Sequence, residues 1–408
     1  TSSGFFGKAL PVAATYIYAA YRFVVKKNLA VSDFSVIMTA MSNLKDVFND
    51  LGEAFSHVRK ESEYFMNLRE FLEYKETVKS GTMSCAKGGV TSIMSMPNLK
   101  PCPDCYEHLK VQLDRIEKDA VVNVYPFGAV TVNEEDKEVA DYESMKNHIY
   151  GLSDDGRGVN NLHLLEQAMI FAKENNFTIA SHAEDNFYKY AREGEYVAVE
   201  REIELVKKIG CKYHFCHMSV KESFDAIRKA QQEGYTNITC EVAPHHLVLN
   251  KDMIKDANYK MNPPLREESD RLETIKALLD GTACMIASDH APHSEEEKSQ
   301  EYDKCPNGII GIETMIPIIY TEFVKKGLIS LNRFLDILVY NPIKVFNLPE
   351  RDLNVGSIAD ITVIDIENSH KYTKEEILSK GKNSPFIGNK YYGFTRYTLV
   401  NGEVVYKK

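Results

Sequence analysis

The chain has 408 residues, 44% of them hydrophobic and 26% charged, the balance of an ordinary globular protein, which excludes disordered, collagenous and purely coiled-coil architectures. Its length allows two or three domains, or one β/α barrel of about 250 residues with a smaller companion. The 49 basic against 59 acidic residues give a net charge of −10, so there is no basic field to hold nucleic acid, and eight cysteines are too sparse for a disulfide scaffold.

Residues 9–25 are apolar except for Thr15 and Arg22, with Lys26 and Lys27 following. Such a run is at the short limit for a membrane span and is more commonly a buried helix. It lacks the features of a secretory signal with a cleavage site, so a reducing, cytosolic compartment is expected, with membrane association only if this segment inserts. Phe34, Ile37, Met41, Leu44, Phe48, Leu51, Phe55 and Val58 recur at alternating spacings of 3 and 4. This heptad seam predicts one long helix, capped at Ser32 or Asp33 and running past residue 65.

From about residue 74 the rhythm changes. Short apolar runs at 90–96, 121–127, 149–153, 177–181, 212–216, 237–242 and 283–287 alternate with helical patterns at 104–118, 163–173, 196–209, 221–233 and 270–279. Alternation of this kind predicts parallel strands joined by crossover helices. Seven strands are one short of a closed (β/α)8 barrel, and the missing unit is the first. After residue 346 short strands at 361–366, 396–400 and 403–407 suggest a small β module. The expected division is a helical segment over 1–72, an incomplete barrel over 73–345 and a β module over 346–408.

Seven of the twelve histidines fall between residues 182 and 293. An isolated histidine is ordinarily a satisfied surface or core residue, and His57, His108, His148, His163 and His370 are taken that way. His182, His217, Asp289 and the Asp154–Asp155 pair instead follow strand-like runs, where a parallel barrel builds its active site. Carboxylate and imidazole at four strand ends suit Zn²⁺. Strand alternation separates His214 from His217 and leaves His217 as the ligand candidate, with His214 expected to pack against a helix and Cys216 to be a buried apolar residue. Residues 260–266 (KMNPPLR) set an amide and a guanidinium around a Pro-Pro turn suited to an anionic or amide ligand. Residues 102–105 (CPDC) have no second CxxC and are expected to be a plain loop.

Ser153-Asp154-Asp155-Gly156, Ser181-His182-Ala183-Glu184-Asp185, Cys216-His217-Met218-Ser219, KMNPPLR and Asp289-His290-Ala291-Pro292-His293 together resemble the zinc-dependent dihydroorotases of the amidohydrolase superfamily. The resemblance covers roughly residues 73–408. It implies a distorted (β/α)8 barrel with a small β-sandwich, and reversible closure of N-carbamoyl-aspartate to dihydroorotate in pyrimidine biosynthesis. By the same resemblance Asp155 bridges two zincs, His182 and His217 bind the second, and Asp289 ligates zinc and shuttles the proton as the catalytic residue. Asn98, Asn262 and His293 would hold the substrate, helped by the backbone at Asn307 and Gly308.

The family carries His-x-His-Leu-Arg-Glu-Pro-Gly on its first strand, whereas residues 65–72 here are FMNLREFL. Phe65 and Asn67 replace two ligands of the first zinc, so at most one well-held zinc and impaired activity are expected. Residues 1–72 resemble the end of an ABC exporter membrane domain, so the join near Glu73 has the look of a fusion. The alternatives are a catalytically silent dihydroorotase-like scaffold and a hydantoinase or dihydropyrimidinase. The expected partner is the small-molecule substrate, with a homodimer allowed and nucleic acid excluded.

Overall fold

A computed structural model describes residues 76–408 of the chain. The apolar run at 9–25, the heptad seam and the helical reading of residues 1–72 lie outside these. The seven predicted strands are all present: β1 (Ser92–Ser95), β2 (Asn123–Pro126) continued after Phe127 by β3 (Gly128–Ala129), β4 (Leu152–Ser153), β5 (Thr178–Ser181), β6 (Lys212–Phe215), β7 (Ile238–Val242) and β8 (Ala283–Ile286). Each pairs in parallel with its neighbour in sequence, β1 with β2, and β3 through β8 in one sheet. Crossover helices are what allow this order. Among them are α2 (Tyr106–Asp119), α3 (Leu162–Glu174), α4 (Arg192–Ile209), α5 (Lys221–Gln232) and α6 (Glu268–Asp280), all close to the predicted ranges.

Strand alternation divides the apolar residues between two cores. Ile179, Tyr213, Phe215, Ile238, Cys240 and Val242 meet the buried stripes of the helices, such as Phe224, Ile227 and Ala230 of α5. The residues of opposite parity, Ala180 and Cys216 with Phe127 and Met285, pack on Phe346. His214 has the same parity as Cys216. Its ring lies 5.3 Å from that of Phe346, and its Nδ1 is 2.8 Å from Thr239 Oγ1. It therefore sits on the Phe346 side of the strands, in contact with the helix Asn341–Phe346 rather than with the crossover helices.

The predicted β module is a three-stranded antiparallel sheet in the order β13 (Glu403–Lys407), β12 (Phe394–Val400), β9 (Ile361–Asp365), plus the pair β10 (His370–Lys371) and β11 (Lys390–Tyr391). A helix that the periodicity did not reveal, α1 (Val78–Gly88), covers this sheet. Thr77 starts it with a reciprocal capping box to Ser80, satisfying two orphan amides. The hydroxyls of Thr398 and Thr362 donate to the carbonyls of Ala86 and Gly89 at 2.6 and 2.7 Å. Gly88 is required here, because a Cβ would lie 2.4 Å from the Ile312 carbonyl oxygen.

Candidate active site at the strand ends

Asp155, His182, His217 and Asp289 each leave the carboxyl end of a parallel strand. At β6 and β8 the chain turns abruptly, with φ of +37° at His217 and +45° at Asp289. Left-handed backbone at non-glycine residues is held only by its surroundings and clusters at functional sites. His182 Nε2 lies 2.9 Å from Asp155 Oδ1, and the rings of His182 and His217 are 4.8 Å apart. Asp289 Oδ2 is 3.4 Å from Nε2 of His245, a residue that sequence reasoning placed in the histidine cluster without a role. His290, next to Asp289, has its Nδ1 turned away to accept from Gly311 N at 3.2 Å.

Asp154 does not share this direction. Its carboxylate accepts from the amides of Val130 and Thr131 at 2.7 and 3.0 Å and from the Thr131 hydroxyl at 2.5 Å, which fixes the loop beside it. That loop delivers a residue the sequence did not reveal. Glu134, at φ +55°, accepts the Asp155 amide at 2.8 Å. Nothing in local sequence marks it, because a run of positive φ at Asn133, Glu134 and Asp136 brings it in.

The cluster is strongly acidic. Burial pushes Glu134 up to about 7, and the nearby charges of Asp154 and Asp155 add to this. Burial likewise raises Asp289 to about 7, reinforced by Asp155, and raises Asp154 to about 6 despite its hydrogen bonds. Burial opposes a charge on His182, but Asp155, Asp289 and Glu241 outweigh it and its pKa rises. His217 and His245 are pushed well down, by burial and then by neighbouring imidazoles, and burial takes His246 down to about 4. Buried carboxylates that repel one another beside neutral imidazoles are what a bound cation relieves. Among the described residues His217 Nδ1 and His245 Nε2 are buried without a hydrogen-bond partner, His245 Nε2 having only the Asp289 carboxylate at 3.4 Å. Imidazole nitrogens and carboxylate oxygens at these strand ends are donor types that suit a borderline cation such as zinc.

An open-sided cavity of about 340 Å³ adjoins this cluster, lined by His182, His217, Asn262, Pro263 and Arg266 among others. Asn262 reaches it at the cis Asn262–Pro263 bond. His293 Nε2 lies 2.7 Å from the Asn307 carbonyl oxygen, and Gly308 packs on Ala291 and His293. Asn383, from the C-terminal module, ties these pieces together. Its Oδ1 accepts the His293 amide and its Nδ2 donates to the carbonyls of Ala291 and Gly308, all at 3.0 Å. Asn98 is exposed beyond the end of β1, and like His293, Asn307 and Gly308 it does not line the cavity.

The Dihydro-orotase-like family model matches residues 65–223. A dihydroorotase of Macrococcus caseolyticus is 42% identical over 358 residues, covering 82% of this chain and 84% of its own. A dihydroorotase of Bacillus cereus is 42% identical over 357 residues, covering 82% and 83%. Among solved structures, a dihydropyrimidinase from Brevibacillus agri superposes with a TM-score of 0.73 at 25% identity, covering 82% of this chain and 80% of that one. An L-hydantoinase from Arthrobacter aurescens gives 0.74 at 24%, covering 83% and 82%. The family match begins at Phe65, ahead of the join expected near Glu73. The exporter-like reading of residues 1–72 is not borne out, and those residues lie outside the described ones.

Proposed function

The chain belongs to the dihydroorotases, a family of cyclic amidohydrolases, and from that premise we propose that it acts on dihydroorotate and N-carbamoyl-L-aspartate, in the cytosol, through the cluster at the strand ends. Residues 73–345 act as a (β/α)8 barrel without its first strand, and residues 346–408 supply part of the companion sandwich. The observation that carries the reading is the grouping of Asp155, His182, His217 and Asp289 around His217 Nδ1, which has no hydrogen-bond partner among the described residues.

Zinc at this cluster would polarise the ring amide and make water a better nucleophile. Asp289 would take the proton of the attacking water and pass it to the leaving nitrogen. Asn262, which lines the cavity, and His293, whose ring is held by the Asn307 carbonyl, would bind the substrate carboxylate. The same family positions give Asn98 a part in substrate binding, although it is exposed here and does not line the cavity. A hydantoinase reading has the fold in its favour. It does not use a carboxylate grip, and it wants a carboxylated lysine where this chain has Asp155.

Phe65 and Asn67 stand where the family's first zinc has its histidines, and phenylalanine offers no donor. The chain is therefore expected to turn over dihydroorotate at least about 10²-fold more slowly than a complete relative. Replacing residues 1–72 by a segment bearing His-x-His-Leu-Arg-Glu-Pro-Gly should restore turnover. A repaired chain that binds zinc yet stays silent with dihydroorotate would overturn the proposal.

A further inference from the structure

The first turn of α2 carries a set of donors that the strand-end site leaves unused. Asp104, Cys105 and His108 bring a carboxylate oxygen, a sulfur and an imidazole nitrogen within 4.8 Å of one another. In the sequence the CPDC stretch lacks a second cysteine pair, and what that reading passes over is His108. Three residues beyond Cys105, it lies on the same side of the helix, one turn on.

The carboxylate is fixed on both sides. Asp104 Oδ1 is 2.6 Å from His108 Nδ1, and Oδ2 accepts the Asn133 amide at 3.0 Å. Asp104 is 5% exposed, whereas His108 and Cys105 are reachable from solvent. Cys102, three residues before Cys105, is 6% exposed and forms no disulfide with a described residue. A thiol, an imidazole and a carboxylate together are a donor set for a borderline cation rather than for calcium or magnesium.

We propose that Asp104, Cys105 and His108 bind a divalent cation of the zinc type, at a site separate from the strand-end cluster. Its role is structural. Through Asp104 and Asn133 the ion braces the loop that brings Glu134 to the Asp155 amide. Three protein ligands leave a fourth position for water.

The test adds Co²⁺ alone to the purified full-length chain and follows thiolate-to-cobalt charge-transfer absorption. The expected result is a band that saturates at one equivalent, is lost in Cys105→Ser, and needs at least about tenfold more cobalt in His108→Ala. It should persist in His182→Asn, whose lesion is at the strand ends. Serine is a favoured N-cap, so Cys105→Ser preserves the start of α2 and loss of the band cannot be put down to unfolding. No band in the parent chain, an undiminished band in Cys105→Ser, or unchanged cobalt affinity in His108→Ala would each overturn the proposal.

Discussion

Glu202 has no solvent exposure, and its Oε2 accepts hydroxyls from Ser181 and Tyr213 at 2.7 and 2.8 Å while Oε1 has no partner. Burial outweighs these bonds and raises its pKa from 4.5 to about 6. The folded chain therefore holds this proton more tightly than the unfolded one. The resulting stability is fully present below pH 4.5 and is lost as pH rises through 6, a change of about 2 kcal/mol. Glutamine imitates the protonated form, so Glu202→Gln should be more stable than the parent at pH 8 and nearly equal to it at pH 4.5. Urea denaturation at the two pH values checks this, and equal shifts at both would contradict it. On the proposed reading, phenylalanine and asparagine at positions 65 and 67 leave the strand-end cluster with one zinc. Elemental analysis of the Cys105→Ser variant, which leaves out the α2 site, should find no more than one per chain, and none once His182 and His217 are both asparagine. Two tightly held zincs in Cys105→Ser would mean that another group supplies the first site.

The two glycines of α1 make opposite predictions at the scale of an element. At Gly88 a Cβ would meet the Ile312 carbonyl at 2.4 Å, a backbone atom that cannot move away cheaply. Gly88→Ala should destabilise by about 1–3 kcal/mol despite alanine's better helix propensity. At Gly81 the nearest atom is the Glu76 Cγ at 3.4 Å, so Gly81→Ala should stabilise by up to about 1 kcal/mol. Thermal melts of the two variants moving in the same direction would refute the packing of α1. The elements themselves were legible to different degrees. The seven strands and their crossover helices stand out because period and chain order agree over long stretches, and strand ends then point to Asp155, His182, His217 and Asp289. α1 was hidden because its buried face is made of Thr82, Ser84, Cys85, Ala86 and Gly88, small residues with no apolar periodicity. Glu134 was hidden because it arrives through backbone turns, and His245 because it meets Asp289 from a neighbouring strand end. Those two depend on tertiary placement that no local pattern records.

For the molecule as a whole, β1 and β8 end the order of the strands, and among the described residues neither pairs with a further strand. Unpaired parallel edges are templates for association. The purified chain should scatter light as soluble aggregates, and grafting the family-type first strand should reduce this; a monodisperse monomer with a sharp melt would count against the open edge. The Asn383 side chain carries a different consequence at this scale. One buried amide from the last quarter of the chain holds His293, Ala291 and Gly308 at once, so a residue 90 positions beyond His293 fixes a segment proposed to bind substrate. In a repaired enzyme, damage to that terminal region would raise KM before it lowered kcat. A survey of inactivating lesions would then score the C-terminal module as a determinant of substrate affinity, although none of its own side chains need touch the substrate.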